Sequence, residues 1–244
     1  MTEPSSLSTT VQLTQRILDS IYQRVVGAIT EVETADHVAA LTFDDGPDPS
    51  YTPRVLDVLE RHDARSTFFM VGAGAHGRPD LVRRVAEAGH AIGNHSWDHR
   101  SFTTISGRRR RWQLRACHQA LAPYGLRFFR PPYGRQIVAS RLDAWLLGFQ
   151  VITWSVHVED WRDGDAERMA CRLLDRIRPG SIILLHDAIF RAEPDQMVRY
   201  DRGPALQALT MFLEELRGRY RFLTVPELLA HGRPVVREWY ADEW

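Results

Sequence analysis

The feature that most restricts what this chain can fold into is an alternation of short uncharged apolar runs with longer amphipathic stretches, kept up from Val38 to about Leu229. The runs at 38–43, 66–71, 151–156 and 181–185 carry no charge and are rich in β-branched and aromatic residues. Apolar runs of that length read as strands buried on both faces. Between them, 51–61, 79–88, 109–122, 137–147, 166–178 and 204–217 carry apolar residues at helical spacing, and Gly89, Pro123, Gly148 and Pro179-Gly180 close four of them. Shorter strands at 91–94, 127–129 and 222–225, and a short helix at 226–230, complete the series. About seven strands, most followed by a helix, imply an α/β fold with a mostly parallel sheet covered by helices. The closed form is a (β/α) barrel and the open form a doubly wound sheet, and periodicity does not choose between them. No Gly-rich phosphate loop follows the first strand, which disfavours the dinucleotide-binding open form.

Ahead of this region, residues 1–8 are polar. From Thr10 to about Glu31, Val11, Ile17, Leu18, Ile21, Val25 and Ile29 recur at helical spacing, with Thr9 or Thr10 as cap. The expected organisation is a tail and outer helix over 1–36, one catalytic domain over 37–232, and an aromatic tail over 233–244 whose Trp239, Tyr240 and Trp244 pack against the domain wall.

Lys plus Arg equals Asp plus Glu at 31 each, so no net field draws the chain to nucleic acid or anionic membrane. The four arginines Arg108 to Arg111 are a local exception, read as a solvated surface turn. The sharper alternative is contact with an anionic group of a substrate. No run reaches the ~20 apolar residues of a membrane span, and the N-terminus lacks signal-peptide features, so a cytoplasmic location is expected. Cys117 and Cys171 form no C-x-x-C pair and read as buried thiols.

The chemistry-bearing residues gather at strand ends. Asp44 and Asp45 follow the first strand, His95 and His99 the third, Arg130 to Gly134 the fourth, Asp160-Trp161 the fifth, and His186-Asp187 the sixth. In a parallel α/β architecture those ends share one edge, where active sites form. Two imidazoles four apart share a face on a helical turn. With Asp45 they make a two-His, one-carboxylate set that leaves coordination positions open, as catalytic metal sites do. Asp98 competes for the carboxylate role. Zn²⁺ suits these ligands, and Fe²⁺, Co²⁺, Mn²⁺ or Ni²⁺ can replace it. Adjacent aspartates on an extended chain point opposite ways, so one can hold the metal while the other serves as general base. His186 ends a dry strand and suits a third ligand, a general acid or a satisfied core histidine; Asp160 is the acidic neighbour that would keep it protonated. The stiff loop Arg130-Pro131-Pro132-Tyr133-Gly134 can aim a backbone N–H at an oxyanion, while Arg130 can hold a carboxylate.

Taken in order, Thr42-Phe43-Asp44-Asp45-Gly46-Pro47, His95-Ser96-Trp97-Asp98-His99, Arg130-Pro131-Pro132-Tyr133-Gly134, Asp160-Trp161 and Leu184-Leu185-His186 resemble the motifs of the polysaccharide deacetylase family, the NodB-homology domain of carbohydrate esterase family 4. The resemblance implies a distorted (β/α) barrel of about seven parallel strands. It implies removal of acetyl groups from N-acetylated sugars by a metal-dependent hydrolase. Asp44 would be the catalytic base, oriented by Arg130. Asp45, His95 and His99 would hold the divalent metal, and the Tyr133 N–H would stabilise the oxyanion. His186 would be the general acid, tuned by Asp160. Pro132, Trp161 and Leu184 would contact substrate, the last two shaping the acetyl pocket. One departure is His157, where members often carry an acidic residue three positions before Asp-Trp. The competing readings are an O-acetyl esterase with the same site, a non-haem Fe²⁺ oxygenase, and a retired fold that only binds sugar.

Overall fold

The computed structural model of the chain describes residues 25, 27–190 and 201–239. Its first strand, β1 (Ala28–Glu33), pairs antiparallel with β10 (Arg233–Arg237) as a separate two-stranded ribbon. Glu33 and Glu31 meet Arg233 and Arg237 across it at 2.7 and 2.8 Å. This corrects two expectations: residues 28–31 do not end a helix, and the C-terminal tail begins as a strand. Periodicity misled here because partners distant in sequence claim the backbone, as where Ile29 C=O accepts from Thr153 N–H at 2.8 Å. Residues 10–24 and 26 of the expected N-terminal helix lie outside the described residues, as do Tyr240 and Trp244. Trp239 packs on Trp154 at 5.3 Å and donates from Nε1 to Gly134 C=O at 3.0 Å.

The main sheet contains β2 (Val38–Asp44), β3 (Ser66–Met70), β4 (Ala91–Asn94), β5 (Gly125–Phe129), β6 (Gln150–Val151), β7 (Val156–His157) and β8 (Ile182–His186). They lie in the order β6-β5-β4-β3-β2-β8-β7, every neighbouring pair parallel. A short β9 (Arg221–Phe222) pairs with the first two residues of β2. The strand expected over 151–156 is thus two short strands, and they occupy opposite edges of the sheet. Their separation along the chain forces the architecture. Seven strands laid flat span about 29 Å at ~4.8 Å spacing. The chain from Val151 to Val156 reaches at most about 18 Å at ~3.6 Å per residue. The sheet must therefore curl until its edges approach, which gives a distorted, incompletely closed barrel.

The helices are α1 (Thr52–Arg61), α2 (Gly72–His76), α3 (Pro79–Glu87), α4 (Gly107–Ala120), α5 (Val138–Leu146), α6 (Ala166–Arg176), α7 (Gly203–Glu215) and α8 (Val225–Leu229). Strand alternation sorts the core into two shells. Leu41, Phe43, Ile183 and Leu185 face outward and pack with Leu59, Leu173, Leu209 and Phe212 of the helices. Val38, Ala40, Ile182 and Leu184 face the barrel interior with Phe69 and Trp154. Side chains on the interior face at the carboxyl ends of β2 and β8 therefore open into one bowl.

Two further expectations change. Cys117 is buried, and burial pushes its thiol up to about 12, but Cys171 is exposed. Arg108 to Arg111 form the first turns of α4 rather than a solvated turn. Arg110 and Arg111 clamp Asp143 of α5 at 2.7 and 2.5 Å, and Arg109 reaches Asp98 at 2.9 Å while covering the Trp112 ring at 4.1 Å. Three of the four guanidiniums are committed to protein carboxylates.

Candidate active site

Parallel register delivers the site. Asp44, the last residue of β2, lies directly opposite His186, the last residue of β8. Met70 of β3 pairs with Asn94 of β4, and Asn94 pairs with Phe129 of β5, so His95 and Arg130 leave their strands at the same edge. Thr42 and Asp44 face the bowl two residues apart. Arg130 is fully buried beneath them, with the Phe69 and Trp154 rings 4.1 and 5.5 Å from its guanidinium carbon. Its Nη1 donates to Asp44 Oδ1 and Thr42 Oγ1, both at 2.7 Å, its Nη2 to Thr153 C=O at 2.9 Å and its Nε to Ile152 C=O at 3.3 Å. A planar five-donor fork is the side chain able to serve so many acceptors at once. Asp44 is held in one rotamer with Oδ2 turned toward His95 Nε2, 3.8 Å away.

Asp45 follows with a left-handed backbone, φ 76°. That kink corrects the expectation that the two aspartates point apart: it swings the Asp45 carboxylate back into the bowl. Its Oδ1 lies 3.4 Å from His95 Nε2 and 3.1 Å from His99 Nε2. The two histidines do not meet on a helical turn. Residues 95–99 form a loop bent by left-handed Ser96 and His99, at φ 68° and 57°. Asn94 Oδ1 accepts from Ser96 N–H at 2.9 Å and Ser96 Oγ from His99 N–H at 3.1 Å, holding those bends. Asp98 points elsewhere, into Gln113 and Arg109, and does not compete as a ligand.

The donor set fits a divalent cation. Two donors bonded to one tetrahedral ion at ~2.0–2.1 Å sit about 3.3 Å apart, close to both separations seen here. Asp45 Oδ1 is buried without a hydrogen bond, while Oδ2 accepts from Phe190 N–H at 3.0 Å. His95 Nδ1 lies 2.8 Å from Arg130 C=O, an acceptor only, so Nδ1 carries the proton and Nε2 presents its lone pair. Asp45, His95 and His99 form the one metal-competent cluster among the described residues.

At the neighbouring strand end, His186 Nδ1 donates to Asp160 Oδ1 at 2.9 Å and His186 N–H to Asp160 Oδ2 at 2.9 Å. Burial lowers the His186 pKa, but Asp160, with Asp45 and Asp44 adding, more than offsets it and the imidazole ends above its ordinary value. Asp160 is raised by burial and lowered further by His186 and Arg202, ending below the usual carboxylate range. Trp161 sets its ring edge against His186 at 5.2 Å and stacks on His157 at 6.2 Å. Burial, with Arg176 adding, lowers the His157 pKa. Leu184 shares the interior face with His186, two residues along β8. Pro132 is buried, and Tyr133 stands exposed at φ 59° with its ring 4.6 Å from His99.

Two participants escaped sequence reasoning. Arg202 bonds both Asp160 and His186 from the start of α7, and no motif marks an arginine that far downstream. Sequence spacing gives Asp187, beside His186, no role. It is buried, accepts from Thr52 Oγ1, and is pushed by burial up to about 7. A Cβ on Gly46 would collide with its carboxylate, which explains the glycine after the aspartate pair.

The polysaccharide deacetylase family profile matches residues 31–152. A chitooligosaccharide deacetylase of Azorhizobium caulinodans is 35% identical over 213 residues, 85% of this chain and 96% of the relative. A peptidoglycan-N-acetylglucosamine deacetylase of Bacillus cereus is 34% identical over 194 residues, covering 78% and 67% of the two chains. A crystal structure of a peptidoglycan N-acetylglucosamine deacetylase superposes with a TM-score of 0.73 at 30% identity, over 84% of this chain and 94% of that one.

Proposed function

The chain belongs to the polysaccharide deacetylase family and is a carbohydrate de-N-acetylase, and from that premise we propose that it hydrolyses the acetamido group of an N-acetylglucosamine unit in an oligo- or polysaccharide, through Asp44 and His186 and with Zn²⁺ at Asp45, His95 and His99. The observation that carries this reading is the pairing of Asp44 with His186 at the ends of neighbouring strands, beside the three ligand atoms.

Asp45, His95 and His99 would hold a divalent cation, which would acidify a bound water and polarise the amide carbonyl. Asp44 accepts the proton of the attacking water as its oxygen bonds to the carbonyl carbon. Arg130, fully buried, keeps the Asp44 carboxylate on that water. The N–H of Tyr133, on the rigid Pro131-Pro132 loop beside His99, stabilises the negative charge on the carbonyl oxygen. As the C–N bond breaks, its electron pair stays on nitrogen, and that nitrogen takes the Nε2 proton of His186. Nδ1 is engaged with Asp160, which leaves Nε2 to meet the substrate. Trp161 and Leu184 enclose the acetyl methyl group, and Pro132 closes the loop side.

The test is acetate release from N-acetylated chitooligosaccharides and from O-acetylated sugars, with and without chelator, in the parent chain and in Asp44→Asn. Turnover on the N-acetyl substrate should depend on metal and fall by about 10²–10⁴ in Asp44→Asn, the range of a positioned general base. Acetate from O-acetyl sugars alone would replace the amide reading with an esterase. Full turnover in Asp44→Asn would remove Asp44 from the base role.

A further inference from the structure

We infer that Arg202 is a positioning residue for the proton-donating pair, an inference that rests on the de-N-acetylase reading of this site. Arg202 lies just ahead of α7 and is 5% exposed. Among the described residues, its hydrogen bonds all end on two residues. Nη1 donates to Asp160 C=O at 2.6 Å, and Nη2 to the Asp160 carboxylate. Nη2 and Nε donate to His186 C=O at 3.1 and 3.3 Å. The guanidinium therefore grips Asp160 by backbone and side chain, and His186 by its backbone carbonyl.

The division of labour at Asp160 follows. Oδ2 receives two donors, Arg202 Nη2 and His186 N–H, while Oδ1 receives His186 Nδ1. With Oδ2 pinned twice, the carboxylate cannot rotate, and Oδ1 is the oxygen left to face the imidazole. The bonds to His186 C=O fix the backbone from which that imidazole projects. Asp160 sits in the connection between β7 and α6, where no ladder holds it, whereas His186 is anchored at a strand end. Arg202 joins the irregular segment to the anchored one. A lysine could satisfy one of these acceptors, but no single ammonium reproduces the fork.

Positioning of the acid matters only when the leaving group needs a proton. An amine cannot depart without one, whereas a phenolate can leave an aryl acetate unaided. The experiment compares kcat and KM of the Zn²⁺-loaded parent, Arg202→Gln and Arg202→Lys on an N-acetylated chitooligosaccharide and on an aryl acetate. For Arg202→Gln the amide kcat should fall about 10–100-fold, part of the ~10²–10⁴ a positioned acid contributes, with KM and aryl acetate turnover within about threefold of the parent. Arg202→Lys should recover part of the amide kcat. If the Gln variant does not fold, the Lys variant carries the test through the same amide-to-ester ratio. Equal losses on both substrates would mark Arg202 as merely structural and overturn the inference, as would an unchanged amide kcat. A parent enzyme that cleaves the aryl acetate but no N-acetyl sugar would overturn the underlying reading, and the inference with it.

Discussion

Replacing Asp160 by Asn isolates what a buried charge does for a general acid. The carboxylate Oδ2 accepts from two N–H donors, so in the amide that position must stay the carbonyl oxygen. The new NH₂ group then occupies the Oδ1 position and faces His186 Nδ1, formerly 2.9 Å from an acceptor. An imidazolium, which has N–H on both nitrogens, would meet a donor with a donor. The variant histidine is held neutral, and its pKa falls because burial continues to act while the largest offsetting charge is gone. Proton donation to the leaving amine weakens, and kcat for de-N-acetylation should drop by about 10²–10⁴, the reach of general-acid catalysis. The basic limb of the pH–rate profile reports the same change. In the parent it lies above the ordinary imidazole range, and in the variant it moves down. Stability follows with a definite sign. The raised His186 pKa contributes stability that is complete below its unfolded value and lost as pH rises through the folded one. The depressed Asp160 pKa contributes stability present above its unfolded value and lost as pH falls through the folded one. The variant therefore loses most at pH values between the two. With two of three hydrogen bonds retained the loss is about 3 kcal/mol, the low end for a broken buried pair, or roughly 6–12 °C in Tm for a domain of this size. The assays are acetate release against pH on metal-loaded protein and thermal unfolding across the same range. Parent-like kcat with an unmoved basic limb would refute the assignment of His186 as an Asp160-tuned acid.

Arg130→Met strips a fully buried cation from Asp44, Thr42 and two carbonyls and should cost about 3–5 kcal/mol, read as a lowered denaturant midpoint together with lost turnover. His95→Ala removes one of three ligands, and its Zn²⁺ affinity should fall by more than the ~10–100-fold typical of losing an outer hydrogen-bond partner; equilibrium dialysis of the folded variant measures it. Asp187→Asn should be tolerated and should favour the metal-stripped fold above neutral pH. The native carboxyl, raised to about 7, costs stability as pH climbs from its unfolded value toward 7, so unfolding curves of the two proteins should diverge over that interval and then run parallel.

Much of the site was legible because strand-end residues in a parallel sheet share an edge whatever the precise packing. Asp44, Asp45, His95, His99, Arg130, Asp160 and His186 could be grouped from their places in the strand–helix alternation alone. How they meet could not. The two histidines converge through left-handed Ser96 and His99, and Asp45 through its own left-handed backbone, none of which spacing reveals. Spacing suggested a helical turn because four residues apart is a helical separation, and a loop with two reversed residues achieves the same proximity.

What the sequence determined unaided was most of the strand and helix order between Val38 and Leu229, since apolar period is a local property, and with it the edge at which chemistry would gather. Only the tertiary structure decided that β6 and β7 lie at opposite edges and draw the sheet into a barrel, that residues 28–33 pair with 233–237, and that Arg202 reaches back to Asp160 and His186. Those are contacts between segments far apart in the chain. Their energies come from hydrogen bonds and burial created only when the segments meet, so no local pattern of residues records them.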